Sequence, residues 1–137
     1  MKKQKKGRIQ IMKAIQTDKA PAAIGPYSQG FIVPKDADLL FTSGQIPIDP
    51  ATGSIVEGGI KEQAHQSCRN VCEILKAAGA GPENVVKTVC FLADMNDFAA
   101  FNEVYAQYFT GKPARSCVAV KTLPKNVLCE VEAVAAL

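Results

Sequence analysis

The strongest constraint on the fold comes from two late segments, residues 85–92 and 127–136, whose side chains alternate as they do in β-strands. Residues 85–92 place apolar side chains on both faces, which is typical of a central strand. Residues 127–136 place apolar side chains on one face and set Glu130 and Glu132 among apolar neighbours on the other. We therefore expect both faces of the sheet that contains these strands to be covered.

Two segments have the apolar spacing of an amphipathic helix, residues 60–78 and 97–109. Two helices can cover one face of a mixed sheet, so the sequence predicts an α+β fold with both helices packed on that face. Another subunit would cover the opposite face. The sequence predicts four more strands, at residues 13–16, 28–33, 39–43 and 113–120. The strands at 28–33 and 39–43 are expected to pair as a hairpin.

Arg115 is one of three arginines in the chain and lies inside an otherwise apolar strand. Burying a guanidinium is costly unless an anionic group meets it. That group could be a structural carboxylate, supplied by Glu130 or Glu132, or the carboxylate of a small ligand held by two parallel hydrogen bonds. Cys117 shares the face of Arg115, whose charge would lower the pKa of the thiol. Cys117 could equally be a small side chain of the core.

Loop residues supply the other candidates for a site. Tyr27 follows a Gly-Pro pair, so a stiff backbone would present its ring, either toward a site or as a plug over the edge of the core. Ser43 and Gly44 end a strand, where a glycine allows close approach by a ligand or another chain, although a plain strand-end turn has the same pattern. Asn102 lies on the second helix and, by itself, is typical of a polar surface residue.

One helix carries a pattern that resembles a metal site. His65, Cys68 and Cys72 have a spacing that suits zinc, but a fourth ligand is missing nearby and both cysteines fit the buried stripe of the helix. The sequence also lacks a Gly-rich phosphate loop and a serine elbow. We therefore predict no metal site and no cofactor.

The charge distribution divides the chain into a basic extension, residues 1–11, which we expect to be disordered, and a single domain, residues 12–137. Without the five basic residues of that extension, the chain has 11 basic against 13 acidic residues, which argues against a nucleic-acid surface. The five cysteines form no paired framework, so we expect reduced thiols. No segment has the length and hydropathy of a membrane span, and we expect a cytoplasmic protein.

Several motifs together resemble the Rid (YjgF/YER057c) family. They occur in the order of that family and are AAIGPYSQG at 22–30, TSGQIP at 42–47, PARSCV at 113–118, LPK at 123–125 and EVEA at 130–133. The similarity runs from about residue 12 to the end of the chain and is greatest to the RidA branch, the 2-iminobutanoate/2-iminopropanoate deaminases. It implies a chorismate-mutase-like α+β fold and a homotrimer with clefts between subunits.

The resemblance also implies roles for individual residues. Arg115 would bind the carboxylate of the substrate, and Glu130 would hold and activate the attacking water. Five residues would line the cleft, some of them across the subunit boundary: Tyr27, Ser43, Gly44, Asn102 and Cys117. The reaction would be hydrolysis of a reactive 2-imino acid, or its enamine tautomer, to a 2-oxo acid and ammonia. Such an enzyme detoxifies intermediates that amino-acid dehydratases release.

Two other functions fit the same resemblance. Some members of the family are described as endoribonucleases, although the mildly acidic domain and the lack of a histidine or lysine constellation argue against RNA cleavage here. The Arg115 cleft could instead hold a 2-oxo acid without turnover, as a regulatory binding module.

Overall fold

The computed structural model describes residues 12–137, so the predicted basic extension lies outside the described residues. Eight strands and two α-helices follow one another in the order β1 (Lys13–Ile15), β2 (Gly30–Ile32), β3 (Leu39–Phe41), β4 (Ile48–Asp49), β5 (Ser54–Ile55), α1 (Ile60–Ala77), β6 (Val85–Leu92), α2 (Phe98–Tyr108), β7 (Ala114–Ala119) and β8 (Cys129–Ala136). Both helices and the late strands lie where the periodicity predicts them.

The main sheet has four strands in the order β3-β8-β6-β7, and β7 runs parallel to β6 while the other pairs are antiparallel. Both helices pack on one face of this sheet, which confirms the α+β prediction. The core between the layers includes Cys68, Val71 and Leu75 of α1, Phe101 and Tyr105 of α2, and Cys90, Leu92, Val131 and Ala135 of the sheet. Within residues 12–137, neither helix is both long and apolar enough to cross a membrane.

The predicted hairpin between residues 28–33 and 39–43 is wrong. β2 pairs with β1 in a separate two-stranded sheet, and β3 pairs with β8. Pairing with β8 packs Leu40 against the core. The pairing extends past the end of β3, where the Thr42 N–H donates to the Ala133 carbonyl at 2.9 Å. A local hairpin would offer Leu40 no such burial, so the long-range pair is favoured.

The face of the sheet opposite the helices is open in the single chain, as expected. Leu39 and Phe41 of β3 and Val118 of β7 lie on this face with 51%, 70% and 46% of their surfaces exposed, and Val118 is the register partner of the partly buried Phe91. Several large apolar side chains exposed on one face of a sheet are typical of a surface that another protein covers.

Candidate functional site

Arg115 lies on β7 and projects toward the helices. Its register partner on β6 is Thr88, which is fully buried beneath α2 and bonds to the Tyr105 hydroxyl at 2.7 Å. The guanidinium carbon of Arg115 lies 4.7 Å from the centroid of the Tyr105 ring, and its Nη1 donates to Asn102 Oδ1 at 2.7 Å. A cation over an aromatic face is attracted by the ring quadrupole, so Tyr105 and Asn102 together orient the guanidinium.

Helix α2 supplies this support through its spacing. Phe98, Asn102 and Tyr105 step by four and three residues, which places them on one face of the helix. The Phe98 ring centroid lies 5.6 Å from the Arg115 guanidinium carbon. Phe98 and Tyr105 belong to the apolar spacing that predicts this helix, and sequence reasoning missed their contact with Arg115. The signal was the spacing, since both are in helical register with Asn102.

The loop that carries Tyr27 is anchored to the start of β7. Ser28 Oγ donates to the Lys112 carbonyl at 2.6 Å, and the Ser28 N–H donates to the Pro113 carbonyl at 3.3 Å. This anchoring places the Tyr27 ring centroid 5.7 Å from the guanidinium carbon of Arg115. The ring therefore borders the arginine rather than serving only as a plug over the core.

Arg115 forms no ion pair with any carboxylate of residues 12–137. Of the two alternatives for Arg115, a structural salt bridge with Glu130 or Glu132 does not form within the single chain, because both glutamates lie on the opposite face of the sheet. Residues paired across neighbouring strands share a face, and Glu130 pairs with Phe91 on the open face, whereas Arg115 pairs with Thr88 on the helix face. The guanidinium is thus half-buried without an anionic partner.

Cys117 lies two residues beyond Arg115 on the same face and is half-buried. A hydrogen bond with Cys90 lowers the pKa of the Cys117 thiol, and the charge of Arg115 acts in the same direction, while burial opposes them. We call Tyr27, Asn102, Arg115 and Cys117 the arginine group.

Glu130 lies with Gly44 at the open face. The carboxylate rests so close to the Gly44 Cα that a Cβ at this position would overlap it. The backbone N–H of Gln45 bonds to the Val131 carbonyl at 2.7 Å, which holds the strand end beside β8. Gly44 is therefore required for the close approach that its sequence position suggested. We call the exposed Ser43 and the partly buried Gly44 and Glu130 the glutamate group.

Burial raises the pKa of the Glu130 carboxyl, and the neighbouring charge of Glu132 raises it further. A carboxylate with a raised pKa is a better proton acceptor near neutral pH than an ordinary surface glutamate. The single chain therefore carries two groups of candidate residues that face opposite sides of one sheet.

The histidine and the buried cysteine of α1 make structural contacts. His65 Nδ1 bonds to the Tyr108 hydroxyl at 2.8 Å, and Cys68 is fully buried in the core. Among residues 12–137, no group of three or more His, Cys, Asp or Glu side chains is arranged to hold a metal ion.

Comparison with known proteins identifies the family of this chain. A family model described as Endoribonuclease L-PSP, which represents the YjgF/Rid proteins, matches residues 17–137. The chain belongs to the Rid family. The predicted resemblance is thereby confirmed, and the match covers all seven residues of the two groups.

Individual Rid proteins resemble this one along nearly its whole length. A RutC family protein of Pyrococcus horikoshii is 53% identical over 126 residues, which are 91% of this chain and 98% of the relative. A 2-iminobutanoate/2-iminopropanoate deaminase of Mus musculus is 51% identical over 91% of each chain. The crystal structure of E. coli TdcF with bound serine superimposes with a TM-score of 0.69 at 46% identity, covering 91% of this chain and 98% of TdcF.

Proposed function

We propose that this Rid protein is a deaminase that hydrolyses 2-iminobutanoate and 2-iminopropanoate, or its tautomer 2-aminoacrylate, to 2-oxo acids and ammonia. The observation that carries the proposal is the half-buried Arg115, oriented by Asn102 and Tyr105 and lacking a carboxylate partner within residues 12–137. A site built this way suits a small carboxylate ligand. The names of the mammalian relatives support the choice of substrate.

The chemistry needs an anchor and a base but no covalent nucleophile. Asn102 occupies one of the five N–H groups of Arg115, and the others remain for the substrate carboxylate. Anchoring would fix the electrophilic C2. A water held by Glu130 attacks C2 and gives up a proton, and the resulting carbinolamine expels ammonia once its nitrogen is protonated. The C2 hydroxyl loses its proton as the carbonyl of the 2-oxo acid forms. We propose no metal or cofactor for this step.

The two groups can meet only if different subunits contribute them, because they lie on opposite faces of the sheet. We infer that the arginine group of one subunit faces the glutamate group of the next. Because the two groups face opposite sides of the subunit, such a contact is head-to-tail, and it closes into a ring when the rotation from one subunit to the next permits. We propose the homotrimer of the family as that ring, with the exposed apolar face around Phe41 and Val118 buried inside it.

The remaining residues would shape the cleft. Tyr27 and Cys117 would form walls beside Arg115, and Ser43 and Gly44 would border the water on the opposite side. We place the reaction in the cytoplasm, where reducing conditions would maintain the free cysteines that the chain carries.

A coupled assay tests the function directly. A threonine or serine dehydratase generates the imine in situ, and 2-oxo acid release is followed with and without this protein. We expect release to accelerate in proportion to the protein added. Binding of 2-oxo acid without acceleration would indicate a regulatory module instead. Cleavage of single-stranded RNA without acceleration would indicate an endoribonuclease.

The contact between Gly44 and Glu130 yields a second prediction. In Gly44→Ala the new Cβ displaces the flexible Glu130 carboxylate. We expect kcat/KM to fall by roughly 10–10²-fold, because displacing a positioned group by about 1 Å can lower the rate by about 10²-fold. The unfolding free energy, measured in urea, should change by less than about 1 kcal/mol. Gly111→Ala is the matched control, since a Cβ there meets nothing within 4 Å. Equal activity of the two variants would contradict a role for the carboxylate position.

A further inference from the structure

Two cysteines are brought together by the parallel pairing of β6 and β7. Cys90 and Cys117 are register partners, so they lie side by side on the helix face of the sheet. Neighbouring strands are about 4.7–4.9 Å apart, and disulfides span Cα–Cα distances of about 4.4–6.8 Å. The backbone therefore already holds the two cysteines at a separation that a disulfide can bridge.

The surroundings give the two thiols different roles. Cys117 is half-buried beside the guanidinium of Arg115, at the surface where a small polar reagent can reach it. Cys90 is fully buried, and burial raises the pKa of its thiol well above the ordinary range. Oxidants attack accessible thiolates in preference to buried thiols, so Cys117 is the site of first reaction and Cys90 the shielded neighbour.

We propose that Cys90 and Cys117 form a peroxide-responsive dithiol next to the substrate cleft. The Cys117 thiolate attacks the peroxide, whose O–O bond breaks to release an alkoxide or hydroxide, leaving a sulfenic acid on Cys117. The Cys90 sulfur then attacks the sulfenic sulfur, the S–O bond breaks, and the departing hydroxide takes the Cys90 proton as water. The pair loses two electrons, the peroxide gains them, and a disulfide joins β6 to β7.

The other three cysteines lack this arrangement. Cys68 and Cys129 are fully buried, and the Cys129 thiol donates to the Ser67 hydroxyl at 3.8 Å. Cys72 is half-buried like Cys117, but burial and then the charges of Glu73 and Glu83 raise the pKa of its thiol. Cys72 therefore serves as the matched control thiol.

Closing the disulfide would draw the Cys117 sulfur away from the cleft and constrain the strand that carries Arg115. This regulatory consequence rests on the proposed deaminase function, whereas formation of the disulfide does not. We expect the oxidised protein to lose roughly 10–10²-fold in kcat/KM, because small displacements of positioning groups have effects of about that size. Dithiothreitol should restore the activity.

The test oxidises the full-length reduced protein with a few equivalents of hydrogen peroxide and analyses it by mass spectrometry. Trypsin leaves Cys90 and Cys117 in separate peptides, residues 88–115 and 116–121, since the Lys112–Pro113 bond resists cleavage. We expect the intact mass to fall by two hydrogen atoms and these two peptides to become linked. In Cys90→Val, dimedone should trap a sulfenic acid on Cys117, and Cys72→Ala should still form the linked peptides.

Several outcomes would overturn the proposal: unchanged thiols, overoxidation of Cys117 without linkage, or linkage through a different cysteine. A disulfide that forms without changing kcat/KM would remove only the regulatory part. Failure of the deaminase function would appear as an inactive reduced protein, while the linked peptides would still decide whether the dithiol exists.

Discussion

Arg115→Ala is expected to lower kcat/KM for imine hydrolysis by about 10²–10³-fold. Removing one partner of a desolvated ion pair costs about 2–5 kcal/mol, and the substrate carboxylate would lose its anchor in this variant. The fold should remain intact, because Arg115 has no carboxylate partner within residues 12–137 whose charge would be left buried. The measurement is the dehydratase-coupled assay, with thermal unfolding of the same preparation as the check on folding.

Two further variants separate the role of the guanidinium from that of its charge. Arg115→Lys keeps the charge but loses the planar fork, so we expect only partial recovery. Arg69→Ala is the control, because it removes the same charge from an exposed arginine of α1, whose Nε lies 3.4 Å from the Tyr108 hydroxyl. This variant should leave the rate of imine hydrolysis unchanged. Full activity of Arg115→Ala would overturn the proposed function and its site together.

Mixed oligomers of Arg115→Ala and Glu130→Gln are expected to regain activity that neither variant has alone. In the proposed arrangement each site combines Arg115 of one subunit with Glu130 of the next, so every trimer that contains both variants would have one complete site. Tandem affinity purification of co-expressed, differently tagged variants isolates such trimers. We expect roughly one third of the wild-type rate per trimer, whichever variant is in excess.

The control co-expresses Arg115→Ala with the Arg115→Ala, Glu130→Gln double variant, for which no complete site can form. Light scattering should give a trimer in both cases. Glu130→Gln should not unfold the protein, because burial already disfavours the charged form of this carboxyl. Mixed trimers that remain inactive would show that the two residues do not act across a subunit boundary. A fully active Glu130→Gln variant would remove Glu130 from the mechanism.

The sequence by itself determined both helices, the longer strands and the candidate residues, whereas the two-residue strands β4 and β5 were not predicted. Helix α1 and strand β6 begin where their periodicities begin, because a helix stripe and a strand alternation are local properties of the chain. The alternation of β8 likewise assigns Val131 and Glu130 to opposite faces of the strand. Arg115 stood out because a lone guanidinium in an apolar strand needs a partner.

Only the tertiary structure decided which of these residues meet. Strand register is not local, and a slip of one residue moves every side chain to the other face, so the sequence could not tell that Arg115 and Glu130 face opposite ways. The pairing of β3 with β8 likewise joins segments far apart in the chain, and the packing of Tyr105 beside Arg115 depends on how α2 lies on the sheet. Their burial energy depends on neighbours that only the folded molecule supplies.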